Sequence, residues 1–366
     1  MNSFETFKLK TNPFRMTPAI NSDELIWAGF QQVKDKLGKR IKRSIQIPNS
    51  TLILNWGEYG SGKTHAARYF NKISVLQELS GAEQPPFSLD INFPKSKEPV
   101  KDIYVQIIDK LDISELREQI IDKDVDVSIV LNLVTDNILI RNVVKLMFDD
   151  TVPVTTFKSY LYGTSSINKS FVENSVQRKL VTDSDYTEFL STIFSLITYQ
   201  KKAFSCVVLW IDEFEDISIL NSINISNVNN FIRTIIDKTP NNLLMFLNLT
   251  QSAMMDVEDL GEYLQEAVKS RIKDRVELSM PTKEELKIYL KDLLNNSLHR
   301  EEPKDSFFPF DEDVVDEIVK DLGSVSLRRF NEAFSLLLES ALFDKKAVID
   351  KDYYDSMKNE IVGWKS

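Results

Sequence analysis

The stretch Gly57-Glu58-Tyr59-Gly60-Ser61-Gly62-Lys63-Thr64 constrains this chain more than any other. It satisfies the phosphate-loop pattern G-x-x-x-x-G-K-[ST]. Its flanks are those the pattern requires: Thr51 to Trp56 reads as a buried strand and His65 to Phe70 as an opening helix. Glycines let the backbone wrap closely around phosphate with N–H groups aimed inward, and the helix N-terminus adds partial positive charge. Of the 10 glycines in 366 residues, Gly57, Gly60 and Gly62 fall here. Lys63 is expected to reach the β and γ phosphates of ATP, and the Thr64 hydroxyl to bind Mg²⁺. The loop residues, with His65 after them, form the expected nucleotide-contacting set.

A second stretch answers the first. Cys206-Val207-Val208-Leu209-Trp210-Ile211 is an apolar run that ends in Asp212-Glu213. Such a run predicts a parallel strand buried on both faces, with acids at its carboxyl end, where ligands sit in open α/β sheets. Asp212 is expected to hold Mg²⁺, directly or through water, and Glu213 to orient and deprotonate the attacking water. Another central strand, Leu243 to Thr250, also ends in polar groups. Either Asn248 or Thr250 touches the γ-phosphate or the water, or both merely satisfy strand-end backbone groups.

Composition narrows the class. Hydrophobic content of 42% and charged content of 27% suit a globular protein with a real core. No apolar run reaches the roughly 18 residues of a membrane span, and the N-terminus has no basic-then-apolar signal pattern. The single cysteine, Cys206, rules out an internal disulfide framework and suits a reducing, cytoplasmic setting. With only 2 histidines beside it, no zinc site is expected. A net charge of −10 and a pI near 5.0 exclude a general nucleic-acid coat, although a local basic face is compatible with them.

Along the chain, residues 1–20 read as an extended lead-in containing Asn12-Pro13-Phe14, and 22–43 as a helix capped by Ser22 and ending in basic residues. Phe87 to Phe93 alternates like a strand. A long, mostly helical insert covers 112–182, followed by helices over 185–200 and 222–238. Residues 259–274 read as a helix and Val276-Glu277-Leu278 as a last strand. Beyond Pro281, helices are expected over 282–296, 311–321, 326–342 and 350–361. Arg328 near a helix start opposes the macrodipole, which favours an anion partner there.

This order of motifs resembles the AAA+ ATPases, and within them the origin-recognition (Orc/Cdc6-like) branch and its bacterial relatives, including ATP-binding proteins of BREX-type phage defence. The segment Ser159-Tyr160-Leu161-Tyr162-Gly163 is similar to an aromatic-Leu-x-Gly feature of the latter. The resemblance implies an α/β fold: a three-layer parallel-sheet core (46–280) with the helical insertion, preceded by a lead-in and helix (1–45) and followed by a helical lid (281–366). It makes Gly57 to Thr64 a Walker A motif and Asp212-Glu213 a Walker B motif. Thr250, or alternatively Asn248, takes the sensor 1 place. Arg271 looks like the arginine finger that completes a neighbour's site, Arg328 falls at the sensor 2 place, and Pro13 and Phe14 flank the adenine. The chain departs from the pattern in the length of its insert and in having no dedicated DNA-binding domain after the lid. The expectation is an ATP-hydrolysing, homo-oligomerising switch or motor acting on a protein effector or a DNA complex, by analogy in phage defence. The alternative is a slow-turnover adaptor that recruits an effector encoded elsewhere.

Overall fold

A computed structural model describes residues 4–19, 21–149, 151–164, 166–167, 169–240, 242–251, 259–302 and 305–363. The chain divides into two units. The larger comprises Leu37–Trp56 and Phe70–Val276; the smaller comprises Met1–Lys36, Gly57–Tyr69 and Glu277–Ser366.

The larger unit is built on a five-stranded parallel sheet: β1 (Thr51–Glu58), β2 (Phe87–Asn92), β3 (Val207–Asp212), β4 (Leu243–Gln251) and β5 (Ile272–Leu278), in the spatial order β2-β3-β4-β1-β5. Every residue of β3 is buried, as its unbroken apolar run requires of a central parallel strand. Its register with β4 sets Leu209 opposite Met245 and Trp210 opposite Phe246. Alternation then sorts the side chains. Val207, Leu209, Ile211, Met245 and Leu247 enter one continuous apolar core with the surrounding helices. On the opposite face the Trp210 and Phe246 rings stack, with centroids 3.8 Å apart. Between β2 and β3 lies the helical insert. Three of its helices begin where a short polar side chain accepts the third backbone N–H: Asp112 from Glu115, Asp126 from Ile129, Asn137 from Ile140. Thr182 and Asp185 form a full capping box before the helix Asp183–Ile197.

The smaller unit has its own core, in which Phe7, Leu9 and Phe14 pack with residues of the helices Lys283–Asn295, Glu312–Leu322, Leu327–Phe343 and Lys351–Val362. These four helices fall within a residue or so of their expected bounds.

Two expected elements differ. The helix expected over 22–43 is a short 3-10 turn, Ser22–Glu24, followed by a helix only from Gln31 to Gln46. Gly29 and Phe30 take φ of 57° and 47°, left-handed values that no helix passes through. A Cβ on Gly29 would stand 3.2 Å from the Tyr289 Cα, so the break is fixed by close packing. The expected helix 259–274 is two single turns, Leu260–Tyr263 and Glu266–Lys269, after which β5 begins at Ile272. Ile272, Asp274 and Val276 turn inward while Lys273 and Arg275 are exposed, a period of two that pairing at the sheet edge imposes. Among the described residues no helix is long and apolar enough to cross a membrane.

Candidate functional site

In the smaller unit the loop runs directly into the helix Lys63–Phe70. Gly57 is required by contact: an added Cβ would fall 2.4 Å from the Leu278 carbonyl oxygen. Gly60 (φ 78°) is required twice, because its Cβ would also meet Ser326 Oγ and Arg328 Cβ at 2.9 Å. Gly62 has room but a φ of 99°, which side-chain-bearing residues rarely adopt. The Lys63 ammonium is 6% exposed. It donates to the carbonyls of Gly57 (2.8 Å) and Glu58 (2.9 Å) and to Ser61 Oγ (3.3 Å). A buried cation thus meets carbonyl and hydroxyl oxygens of its own loop, beside a helix N-terminus whose first N–H groups lack intrahelical acceptors. The chemistry of that cradle fits a polyphosphate. Thr64 stands at the same helix start, half-buried.

Around the loop, His65 Nε2 lies 2.8 Å from the Ile26 carbonyl, and its ring packs near Trp27 and Tyr69. Burial holds its pKa below the usual histidine value, against the raising effect of the Ile26 bond, so the ring is neutral at pH 7 and donates to that carbonyl. His65 therefore ties the lead-in to the helix. Pro13 is buried, and Phe14 is a core residue with its ring 5.6 Å from that of Phe334 and 6.2 Å from that of Phe310. The structure brings Arg328 to the loop. Its guanidinium lies 4.7 Å from the centre of the exposed Tyr59 ring, donates to the Tyr59 hydroxyl, and donates through Nε to the Met16 carbonyl at 3.1 Å.

The remaining expected residues belong to the larger unit. Asp212 closes β3 at 6% exposure, on the same face as Trp210. Asn248, on the Phe246 face of β4, is fully buried. Its Oδ1 accepts from Asn55 Nδ2 at 2.9 Å, while its own Nδ2 and the Asn55 Oδ1 have no hydrogen-bond partner among the described residues. A buried amide with a spare donor demands explanation, and Asn248 has one at the strand end where Thr250 does not. Thr250 is half-buried; its backbone N–H donates to Glu215 Oε2 at 2.9 Å. Glu213 is held at φ 56°, a strained value for a non-glycine residue. Burial raises its pKa, Lys95 opposes the rise, and Asp216, Asp212 and Glu215 add to it. Lys95 is fixed by an ion pair with Asp216 at 3.0 Å. Arg271 is clamped within its own unit: Nε and Nη2 grip both oxygens of Asp237 at 2.7–2.9 Å.

Sequence reasoning missed Asn55, Lys95 and the part played by Glu215. Asn55 had a signal, being the one polar residue between Leu52 and Trp56. Lys95 had none, since only the fold carries it beside an acidic turn more than a hundred residues later.

No protein-family model matches this chain, and no curated protein does. Solved structures do. An Aeropyrum pernix ORC1 protein in complex with DNA aligns over 96% of this chain and 69% of its own, at 13% identity and a TM-score of 0.54. An ORC2 protein of the same organism, in ADPNP–ADP complexes, aligns over 91% and 67%, at 13% identity and a TM-score of 0.51. Drosophila ORC bound to DNA covers 98% and 65%, at 13% and 0.50. The five-stranded parallel sheet with its surrounding helices matches the fold of these origin-recognition structures. The chain spans about two thirds of the length of these structures, and at such low identity the likeness is one of fold.

Proposed function

We propose that the chain binds and hydrolyses ATP and acts as a nucleotide-driven, self-associating switch or motor on a partner protein or DNA complex. The observation that carries this reading is the Lys63 ammonium enclosed by its own glycine loop, in a chain of AAA+ fold. Lys63 and the loop N–H groups hold the β and γ phosphates, and Arg328 leaves Tyr59 to meet the γ-phosphate. Glu213 takes the proton of the attacking water, and Asn248 uses its spare donor to orient that water or the γ-phosphate. Thr64 and Asp212 would hold Mg²⁺, which when bound neutralises phosphate charge. A role in bacterial phage defence in the cytoplasm belongs to the same reading and rests on the resemblance of Ser159 to Gly163.

Arg271 tests the self-association. Arg271→Ala should leave ATP affinity unchanged and lower turnover of the assembled protein by about 10³-fold, the scale of an arginine finger supplied in trans. Light scattering with and without a slowly hydrolysed ATP analogue, and with DNA added, reads assembly directly. A monomer whose turnover ignores Arg271→Ala would favour the second reading, a slow-turnover ATP-binding adaptor. The grip of Asp237 on Arg271 is the observation on that side.

The raised pKa of Glu213 carries a signed prediction. The carboxyl loses its proton at a higher pH than a free glutamate, so the acid limb of the kcat/KM–pH profile, which reports the free enzyme, should lie above the ordinary glutamate range. Lys95→Ala removes the cation that favours the ionised form and should move the limb further up. An unmoved limb would separate Glu213 from the titration.

A further inference from the structure

In the helix Val127–Val134, Val127, Ile129, Val130, Leu131, Leu133 and Val134 fill six of the eight positions, leaving only a narrow polar stripe of Ser128 and Asn132. A helix docked on a core needs one apolar face, and Val130 and Leu131 already supply it, at 1% and 0% exposure. Ile129 and Leu133 stand one turn apart on the outer face at 57% and 66% exposure. The helix packs against Ile138–Met147, whose first residue, Ile138, is 70% exposed, and both rest on the helix Asp183–Ile197. Exposed aliphatic side chains at helical spacing on a rigid scaffold mark an interaction surface rather than a core.

Charge says what covers it. At the ends of this helix stand Asp122, Asp124, Asp126 and Asp136, all exposed, against Lys123; on the neighbouring helix Ile138–Met147, Arg141 donates to the Thr135 carbonyl and Lys145 is the one exposed cation. Arg117 spends its Nε and Nη2 on the carbonyls of Met147 and Val152. We propose that this face of the insert is a docking site for a cationic amphipathic helix of a partner protein, its apolar side laid over Ile129 and Leu133 and its basic flanks meeting the acidic rim. Nucleic acid and anionic lipid surfaces are repelled by the same rim. A second copy of this chain offers no match through its own cationic helix, Gln31–Gln46, whose apolar residues Leu37, Ile41 and Ile45 are buried. The site does not depend on the nucleotide reading.

The test uses the full chain and two model peptides of about 18 residues, five helical turns. Both carry one leucine face; the polar face is lysine in one and glutamate in the other. Fluorescence anisotropy should show the lysine peptide binding and the glutamate peptide failing to bind. Ile129→Asp with Leu133→Asp should weaken binding by about tenfold or more, the loss of two buried aliphatic contacts. Asp122→Lys with Asp136→Lys should weaken it and flatten its salt dependence. If the aspartate pair unfolds, Ile129→Ser with Leu133→Ser, checked by circular dichroism, carries the same comparison. Equal binding of the two peptides, binding indifferent to these substitutions, or a dimer of the chain alone that Ile129→Ser with Leu133→Ser disperses would each overturn the proposal.

Discussion

Glu213→Gln is expected to bind ATP within about twofold of the wild type while turnover falls by about 10²–10⁴-fold, the range for losing a general base. The amide keeps the size of the carboxylate, so the left-handed turn at φ 56° survives. What disappears is the proton acceptor. The substitution also removes one negative charge from the neighbourhood of Asp212, Glu215 and Asp216, which act together to disfavour it. A small gain in thermal stability should therefore accompany the loss of activity, as relief of like-charge repulsion predicts. Phosphate release and binding of a fluorescent ATP analogue, measured on one preparation, read both outcomes. Turnover at the wild-type rate would move the base elsewhere, with Glu215 the next carboxylate to test.

Lys63→Ala is expected to reduce ATP affinity by about 10²-fold or more. The ammonium exchanges two backbone carbonyls for phosphate oxygens, and charge-assisted hydrogen bonds of that kind contribute about 1.5–3 kcal/mol each. The same change takes the Lys63 donor from the Gly57 and Glu58 carbonyls, leaving Glu58 with the Ser61 N–H. The loop should lose definition even without nucleotide, so Lys63→Arg, which restores charge but not shape, should rescue little. Isothermal calorimetry with ATP measures the loss. An unchanged affinity would remove the nucleotide from this loop altogether.

The parts of this fold that could be read in advance are those whose cause is local. β3 announced itself because a strand buried on both faces needs an unbroken apolar run. The insert helices begin at Asp112, Asp126 and Asn137 because those side chains cap them. The two misread elements have distant causes: Gly29 is bent by Tyr289, and β5 is a strand because its neighbour in the sheet supplies hydrogen bonds. Phe14 shows the same limit from the other side. Its sequence neighbours point to a ligand, whereas Phe310 and Phe334, some three hundred residues later, take it into a core. At the candidate site the residue types were legible, but that Asn248 is buried with a donor to spare while Thr250 is half-buried could not be read from their shared strand end.

The smaller unit is assembled from the start of the chain, the phosphate loop with its helix, and the final helices. Translation delivers these three pieces in order but far apart in time. Phe7, Leu9 and Phe14 leave the ribosome early and find their partners only when Phe330, Phe334 and Leu338 have been made. The larger unit, contiguous but for one early segment, can fold while synthesis continues, reversing the usual rule that the N-terminal part folds first. During that interval the phosphate loop lacks the Ser326–Arg328 segment that shapes Gly60. Nascent chains are thus expected to hold no nucleotide until that segment has been made, and removing residues 4–15 should unravel the helices that pack on Phe7, Leu9 and Phe14.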